Sequence, residues 1–247
     1  MKVCLFGAFQ VWRGQDLIER HEWDRQKTRS LLKLLLTDPG RAFSHDEIIE
    51  ALWPGADFDA SERSLRVTVS LLRRVLEPEL ARGTASRYIV QRRPGYAFNR
   101  EADCWVDTWE FERLQIQANK AREVGKLEEA ASGYKTALAL VQGEVLAEDP
   151  YEAWAMEAKE AWQERQLAAL SALAECQALQ GLYSEAIHAC QQALILDAYR
   201  EDMYRQLMLY HSYTGEQALA LQVYRRYGKL MQEEFGTAPS PEIEQLR

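Results

Sequence analysis

Three segments, "GKLEEAASGYKTAL", "GLYSEAIHACQQAL" and "GEQALALQVYRRYG", align on Gly125, Gly181 and Gly215. Each carries an alanine five residues later (Ala130, Ala186, Ala220) and a medium or large residue nine later (Tyr134, Cys190, Tyr224). Gly181 to Gly215 is 34 residues, the period of a tetratricopeptide helix pair. Gly125 to Gly181 is 56, so about 22 extra residues, including "QGEVLAEDPYEAWAMEA", interrupt the first interval. Alanine inside the helices and glycine between them predict close helix approach, with stacked pairs burying a continuous core beside a groove. No strand-like run recurs after residue 107, where Asp107 and Glu110 mark a helix start, so residues 101–247 are expected to be all-α. Ser240 and Pro241 open a last helix. It has barely begun when the sequence stops, so either a cut boundary or a missing C-terminal piece is expected there.

Residues 1–100 have a different texture. "KVCLF", "FQVW" and "DLI" are short, rich in aromatic and branched residues, and read as strands. Leu31, Leu32, Leu34, Leu35 and Leu36 form a buried helix ended by Pro39-Gly40. Ser44 with Glu47 is a capping box that starts a second helix before Pro54-Gly55. Asp59 and Glu62 signal a third helix over residues 60–77, about five turns long and closed by Pro78. "YIVQRRPGYAF" then reads as a hairpin turning at Arg92-Arg93-Pro94-Gly95. Three helices followed by a basic-tipped hairpin is the order of a winged helix-turn-helix. The fold expected is mainly α with a small β component, a winged helix-turn-helix in residues 1–100 followed by an all-α tetratricopeptide-like domain in 101–247.

Charge divides at the same place. The net charge is −8. Residues 1–100 hold 17 Lys and Arg against 13 Asp and Glu, residues 101–247 hold 13 against 25, and residues 60–98 alone carry +5. At 100° per residue, Leu65, Val69, Leu72 and Leu76 of the third helix share one apolar stripe. Arg63, Val67, Ser70 and Arg74 lie opposite, with Arg66 and Arg73 on a flank and Thr68 nearer the core edge. The only acid within that arc is Glu77 at the helix end, so these arginines are expected to lack partners of their own. Like charges repel along a helix. Arginine binds phosphate or pairs with guanine O6 and N7, and Val67 can meet a thymine methyl. Together with Arg92 and Arg93 at the hairpin tip, the pattern points to double-stranded DNA, the helix in the major groove and the wing beside it.

Other functions find less support. Cys4, Cys104, Cys176 and Cys190 lack paired spacing, and His21, His45, His188 and His211 are scattered, so no metal site, disulfide framework or cofactor is expected. No run reaches the roughly 18 apolar residues of a membrane span, and a reducing cytoplasm is the expected setting. Glu22 with Asp24, Asp57 with Asp59, and Glu148 with Asp149 read as loop and capping residues, not as catalytic pairs. Trp53, Trp105, Trp109, Trp154 and Trp162 read as core or interface anchors. The chain is therefore expected not to be an enzyme. An adaptor or ligand sensor, with a tetratricopeptide groove and a protein-docking winged helix, is the alternative to a DNA-binding activator.

The two parts resemble known modules. "SLRVTVSLLRRVLEP" and "YIVQRRPGYAF" are similar to the OmpR-type winged helix, while "DTWEFERL", "ALALVQGEVL" and the run from "LDAYREDMYRQ" to "PEIEQL" resemble the bacterial transcriptional activation domain. The combination resembles the SARP family of bacterial transcription activators. This resemblance implies binding to direct repeats in promoters, a homodimer on DNA, and recruitment of RNA polymerase through its sigma factor. It also implies that Arg63 and Arg73 contact phosphates, that Arg66, Thr68 and Ser70 face bases, and that Arg92 reaches the minor groove. Leu71 departs from the family, whose members often carry arginine there.

Overall fold

The computed structural model describes residues 1–81 and 83–245. It divides into two compact units, one of Met1–Trp109 with Val141–Glu160, the other of Glu110–Leu140 with Ala161–Arg247. The architecture is mainly α with a small β component, as expected: a winged helix-turn-helix comes first and a tetratricopeptide-like helical array follows.

The first unit opens with β1 (Lys2–Cys4), β2 (Gln10–Arg13) and β3 (Asp16–Leu17) in antiparallel succession. Val3 faces Val11 across the first pair and both are buried, which is why these short runs hold as strands. After a 3-10 turn at Arg20–Trp23 come α1 (Gln26–Thr37), β4 (Phe43–Ser44), α2 (His45–Leu52) and α3 (Phe58–Leu76). The five leucines expected in α1 are all buried. The capping box of α2 is present, with the Glu47 amide donating to Ser44 Oγ at 3.2 Å and the Ser44 amide to Glu47 Oε2 at 2.7 Å. Next follow β5 (Ile89–Arg92), β6 (Gly95–Phe98) and β7 (Trp105–Val106).

Strands β4, β6 and β5 form one sheet in that order, and β3, β2, β1 and β7 the other, with β7 parallel to β1. A Cβ on Gly95 would stand 2.1 Å from the Phe43 carbonyl oxygen, so glycine is required where β6 passes β4. Trp105, expected as an anchor, is instead exposed on β7, with the Lys2 ammonium 5.2 Å from its ring centroid.

The extra residues of the first repeat interval return to this unit. The Gly7 amide donates to the Glu144 carbonyl at 2.9 Å and the Leu146 amide to the Leu5 carbonyl at 3.0 Å. Glu148 and Asp149, expected as loop carboxylates, bind α1. Lys33, with none of its side chain exposed, places Nζ 2.6 Å from Asp149 Oδ2 and 3.2 Å from Glu148 Oε2. Arg29 reaches Glu148 at 2.8 Å. The ring of Phe9 lies 4.8 Å from the Lys33 ammonium and 5.3 Å from the Arg29 guanidinium.

Helices α4 (Asp107–Glu123) and α5 (Leu127–Ala139), α6 (Ala153–Leu179) and α7 (Tyr183–Leu196), and α8 (Glu201–Tyr213) and α9 (Gln217–Phe235) form three pairs, followed by α10 (Pro241–Glu244). Ala130, Ala186 and Ala220 are buried, as are Tyr134 and Cys190. The repeat glycines work differently from the close-approach role expected of them. Gly125, Gly181 and Gly215 have φ of +75°, +76° and +78°, and a Cβ on any of them would meet open space.

Each ends a helix in the left-handed conformation, and the next amide returns to a carbonyl one turn back: Lys126 to Ala121, Leu182 to Gln177, Glu216 to His211. Close approach belongs to Gly133, where a Cβ would come within 2.9 Å of Ala118 Cβ. Gly181→Ala should therefore cost about 1 kcal/mol through backbone strain without any clash, read as a lowered thermal midpoint. All four cysteines are free thiols, and burial pushes Cys190 up to about 12. Among the described residues no helix is long and apolar enough to cross a membrane.

Candidate nucleic-acid interface

Helix α3 starts two residues earlier than its Asp59 signal implied. Asp57 is the N-cap, its Oδ1 accepting the Ala60 amide at 2.9 Å. The apolar stripe behaves as the 3.6-residue period demands: Leu65, Val69, Leu72 and Leu76 are buried. Opposite it, Arg63, Arg66, Val67, Ser70 and Arg74 are exposed, with Val67 at 46%. These positions follow the spacing of a single helix face.

Two expected contacts change character. Thr68 is 1% exposed and its hydroxyl donates to the Ser64 carbonyl at 2.8 Å, so the side chain points into the unit and not toward a base. Its place beside Leu65 and Val69 on the inner face is the cause. Arg73 is half-buried and turned to the hairpin: Nε and Nη2 both donate to the Ile89 carbonyl, at 3.1 and 3.0 Å. Its guanidinium lies 5.9 Å from the centroid of the Tyr96 ring. One side chain therefore ties α3 to β5 and β6. Leu71, the family departure, is half-buried.

The hairpin pairs Ile89 with Phe98, Val90 with Ala97, Gln91 with Tyr96 and Arg92 with Gly95. Its turn is Arg93-Pro94, and Arg92 and Arg93 are both exposed at the tip. Tyr96 and Phe98 are buried, and Phe98 meets the edge of Trp109 at 5.6 Å, which anchors the base of the wing. Between α3 and the chain that follows it lies an open concavity of about 510 Å³. Arg66, Ser70, Arg73 and Arg74 line it together with Thr84 and Tyr96.

The arginines of α3 were expected to lack partners, and for two of them this is incorrect: Arg73 bonds the Ile89 carbonyl, and Arg66 bonds a carboxylate. Arg66 Nη2 donates to Glu62 Oε1 at 2.7 Å, and Glu62 Oε1 also lies 3.5 Å from His45 Nδ1. The His45 ring stacks on Tyr96 at 5.3 Å with 10° between planes. The Arg66 hydrogen bond holds the Glu62 carboxyl below the usual carboxylate range. Glu77, the acid expected at the helix end, instead accepts from Ser86 Oγ and the Arg87 amide. Sequence reasoning missed Glu62, His45 and Tyr96. The spacing of four between Glu62 and Arg66 was a usable signal, whereas the meeting of His45 with Tyr96 depends on tertiary packing.

Residues 25–98 match the family model described as transcriptional regulatory protein, C terminal. Residues 106–247 match the bacterial transcriptional activator domain. The regulatory protein AfsR of Streptomyces coelicolor is 29% identical over the whole of this chain, which spans 24% of that protein's length. The transcriptional regulatory protein MoaR1 of Mycobacterium tuberculosis is 26% identical over 89% of this chain and 70% of its own. Among solved structures, EmbR of Mycobacterium tuberculosis, in complex with a low affinity phosphopeptide, matches with a TM-score of 0.87. It is 24% identical, over 99% of this chain and 63% of that one, and shares the fold. The chain belongs to the bacterial transcriptional activator domain family and, with a transcriptional regulatory domain ahead of that module, to the SARP family of transcriptional regulators.

Proposed function

We propose that the chain is a sequence-specific DNA-binding transcription activator. Helix α3 enters the major groove of promoter direct repeats, and the β5–β6 hairpin lies in the adjacent minor groove. The observation that carries this reading is the joint exposure of Arg63, Arg66, Val67, Ser70 and Arg74 on one helix face and of Arg92 and Arg93 at the hairpin tip. Arg63, Arg74 and Arg93 bind phosphates, while Arg66 and Ser70 read base edges and Val67 meets a thymine methyl. Arg92 serves the minor groove, and Arg73 joins the two reading elements. In this division of labour residues 1–100 hold the DNA reader and residues 101–247 the activation module. The acidic balance of the second part suits contact with RNA polymerase, its sigma factor included, and a second copy on the neighbouring repeat completes the complex.

Counterion release provides the test. Binding of the full chain to a site selected from a random DNA pool should weaken as salt rises; Arg63→Ala should reduce the log–log slope by about one unit, and Arg92→Ala should lower affinity for the selected site. Unchanged affinity and slope in both variants would remove the basis of this reading.

A further inference from the structure

We propose that Glu62 is a specificity-determining residue of this interface: it holds Arg66 for a base edge and opposes binding through phosphates alone. The inference rests on the DNA-binding reading and concerns how that reading discriminates. The face that meets DNA is otherwise cationic, with Arg63, Arg74, Arg92 and Arg93 exposed. Among the described residues no other arginine of this face is bonded to a carboxylate. A carboxylate placed there repels phosphates and removes one unit from the attraction that every DNA sequence shares. Stability does not explain its presence, because an exposed pair four residues apart contributes only about 0.3–0.5 kcal/mol.

The geometry gives Glu62 a task. Its carboxylate accepts a hydrogen bond from Arg66 on α3 at 2.7 Å and lies 3.5 Å from His45 Nδ1 at the start of α2. Stacking on Tyr96 in turn fixes the His45 ring. Arg66 remains 65% exposed, so its guanidinium reaches outward from an anchored Nη2. The guanidinium carries five N–H groups in a rigid fork. One of them engages Glu62, and the rest are available for the two acceptors of a guanine, O6 and N7. An arginine already held loses less freedom on reading a base than one that must first be drawn from solvent. Without Glu62 the same side chain is free to turn to a phosphate, which every sequence offers.

The experiment compares the full chain with Glu62→Gln, Glu62→Asp and Arg66→Ala, on the selected site, on every single-base variant of it and on random-sequence duplex. Glu62→Gln removes the charge at constant shape, whereas Glu62→Asp keeps the charge and withdraws it by one methylene from Arg66. Both should lose about tenfold in discrimination at a single base pair, the same pair that becomes indifferent in Arg66→Ala. Only Glu62→Gln should also bind random duplex more tightly, with a salt slope steeper by about one unit. If the wild type discriminates and both Glu62 variants keep its full base preference, the role of Glu62 is overturned while the DNA reading stands. A wild type that binds all sequences alike overturns the DNA reading and this inference together.

Discussion

Asp149→Ala should lower the stability of the first unit by about 3–5 kcal/mol, because it leaves the Lys33 ammonium buried without its nearest counter-charge. Lys33 has no exposed side-chain surface and cannot recover water by a change of rotamer alone. Glu148, 3.2 Å away and 35% exposed, offsets only part of the loss. Amide hydrogen exchange along α1 and β1 reads this unit directly, since its slowest amides report the opening free energy. A cost below about 1 kcal/mol would show that the pair is dispensable.

The double substitution Lys33→Met with Asp149→Leu should recover most of the stability, because an apolar pair pays no desolvation cost. Acid has a related effect. Burial pushes the Glu148 carboxyl up, but Lys33 and Arg29 outweigh this and hold it below its ordinary value. Its contribution is therefore complete above about pH 4.3 and fades as pH falls through the lower folded value.

Asp107→Ala should be the second severe change, at about 3 kcal/mol or more. The buried carboxylate accepts the Leu5 amide at 2.9 and 2.8 Å, the Phe6 amide at 2.9 Å and the Thr108 amide at 2.8 Å. Alanine deprives three backbone donors of this acceptor at once, and a buried unsatisfied donor costs about 1–3 kcal/mol. Asparagine keeps one acceptor oxygen and should fall between alanine and the wild type. Burial also raises the Asp107 carboxyl despite these donors. A raised folded value means that the group's contribution is complete below its unfolded pKa, about 3.9, and is lost as pH rises through the folded one. The stability gap between wild type and Asp107→Asn should therefore widen as pH is lowered. Chemical denaturation monitored at several pH values checks both the order of the variants and this trend.

Local signals were the legible ones. Ser44 and Glu47, Ser240 with Pro241, and the stripe of Leu65, Val69, Leu72 and Leu76 act over one or two turns, where chain geometry alone decides the outcome. The outward arginines of α3 follow from the same stripe, since what is not buried on a helix of this period faces the other way. Strands β4 and β7 left no trace because pairing partners far along the chain define them.

The interruption between Gly125 and Gly181 was visible as an irregular interval. Its destination was not, because the bonds of Glu148 and Asp149 to Arg29 and Lys33 span more than a hundred residues. Asp107 read as a helix-start signal for the same reason: its acceptors serve Leu5 and Phe6 at the other end of the unit. The repeat glycines were found by their spacing and misassigned in their purpose, since spacing does not report φ.

Arg73 joins helix and wing through a bifurcated bond to one carbonyl oxygen, that of Ile89. On the proposed reading this makes the protein a caliper with a locked jaw. The gap between what α3 touches and what the hairpin tip touches is set before any DNA arrives. A base pair inserted between the two contacted steps lengthens the duplex by about 3.4 Å, more than a hydrogen bond can stretch to follow. Spacing within each half-site would then be read as strictly as base identity.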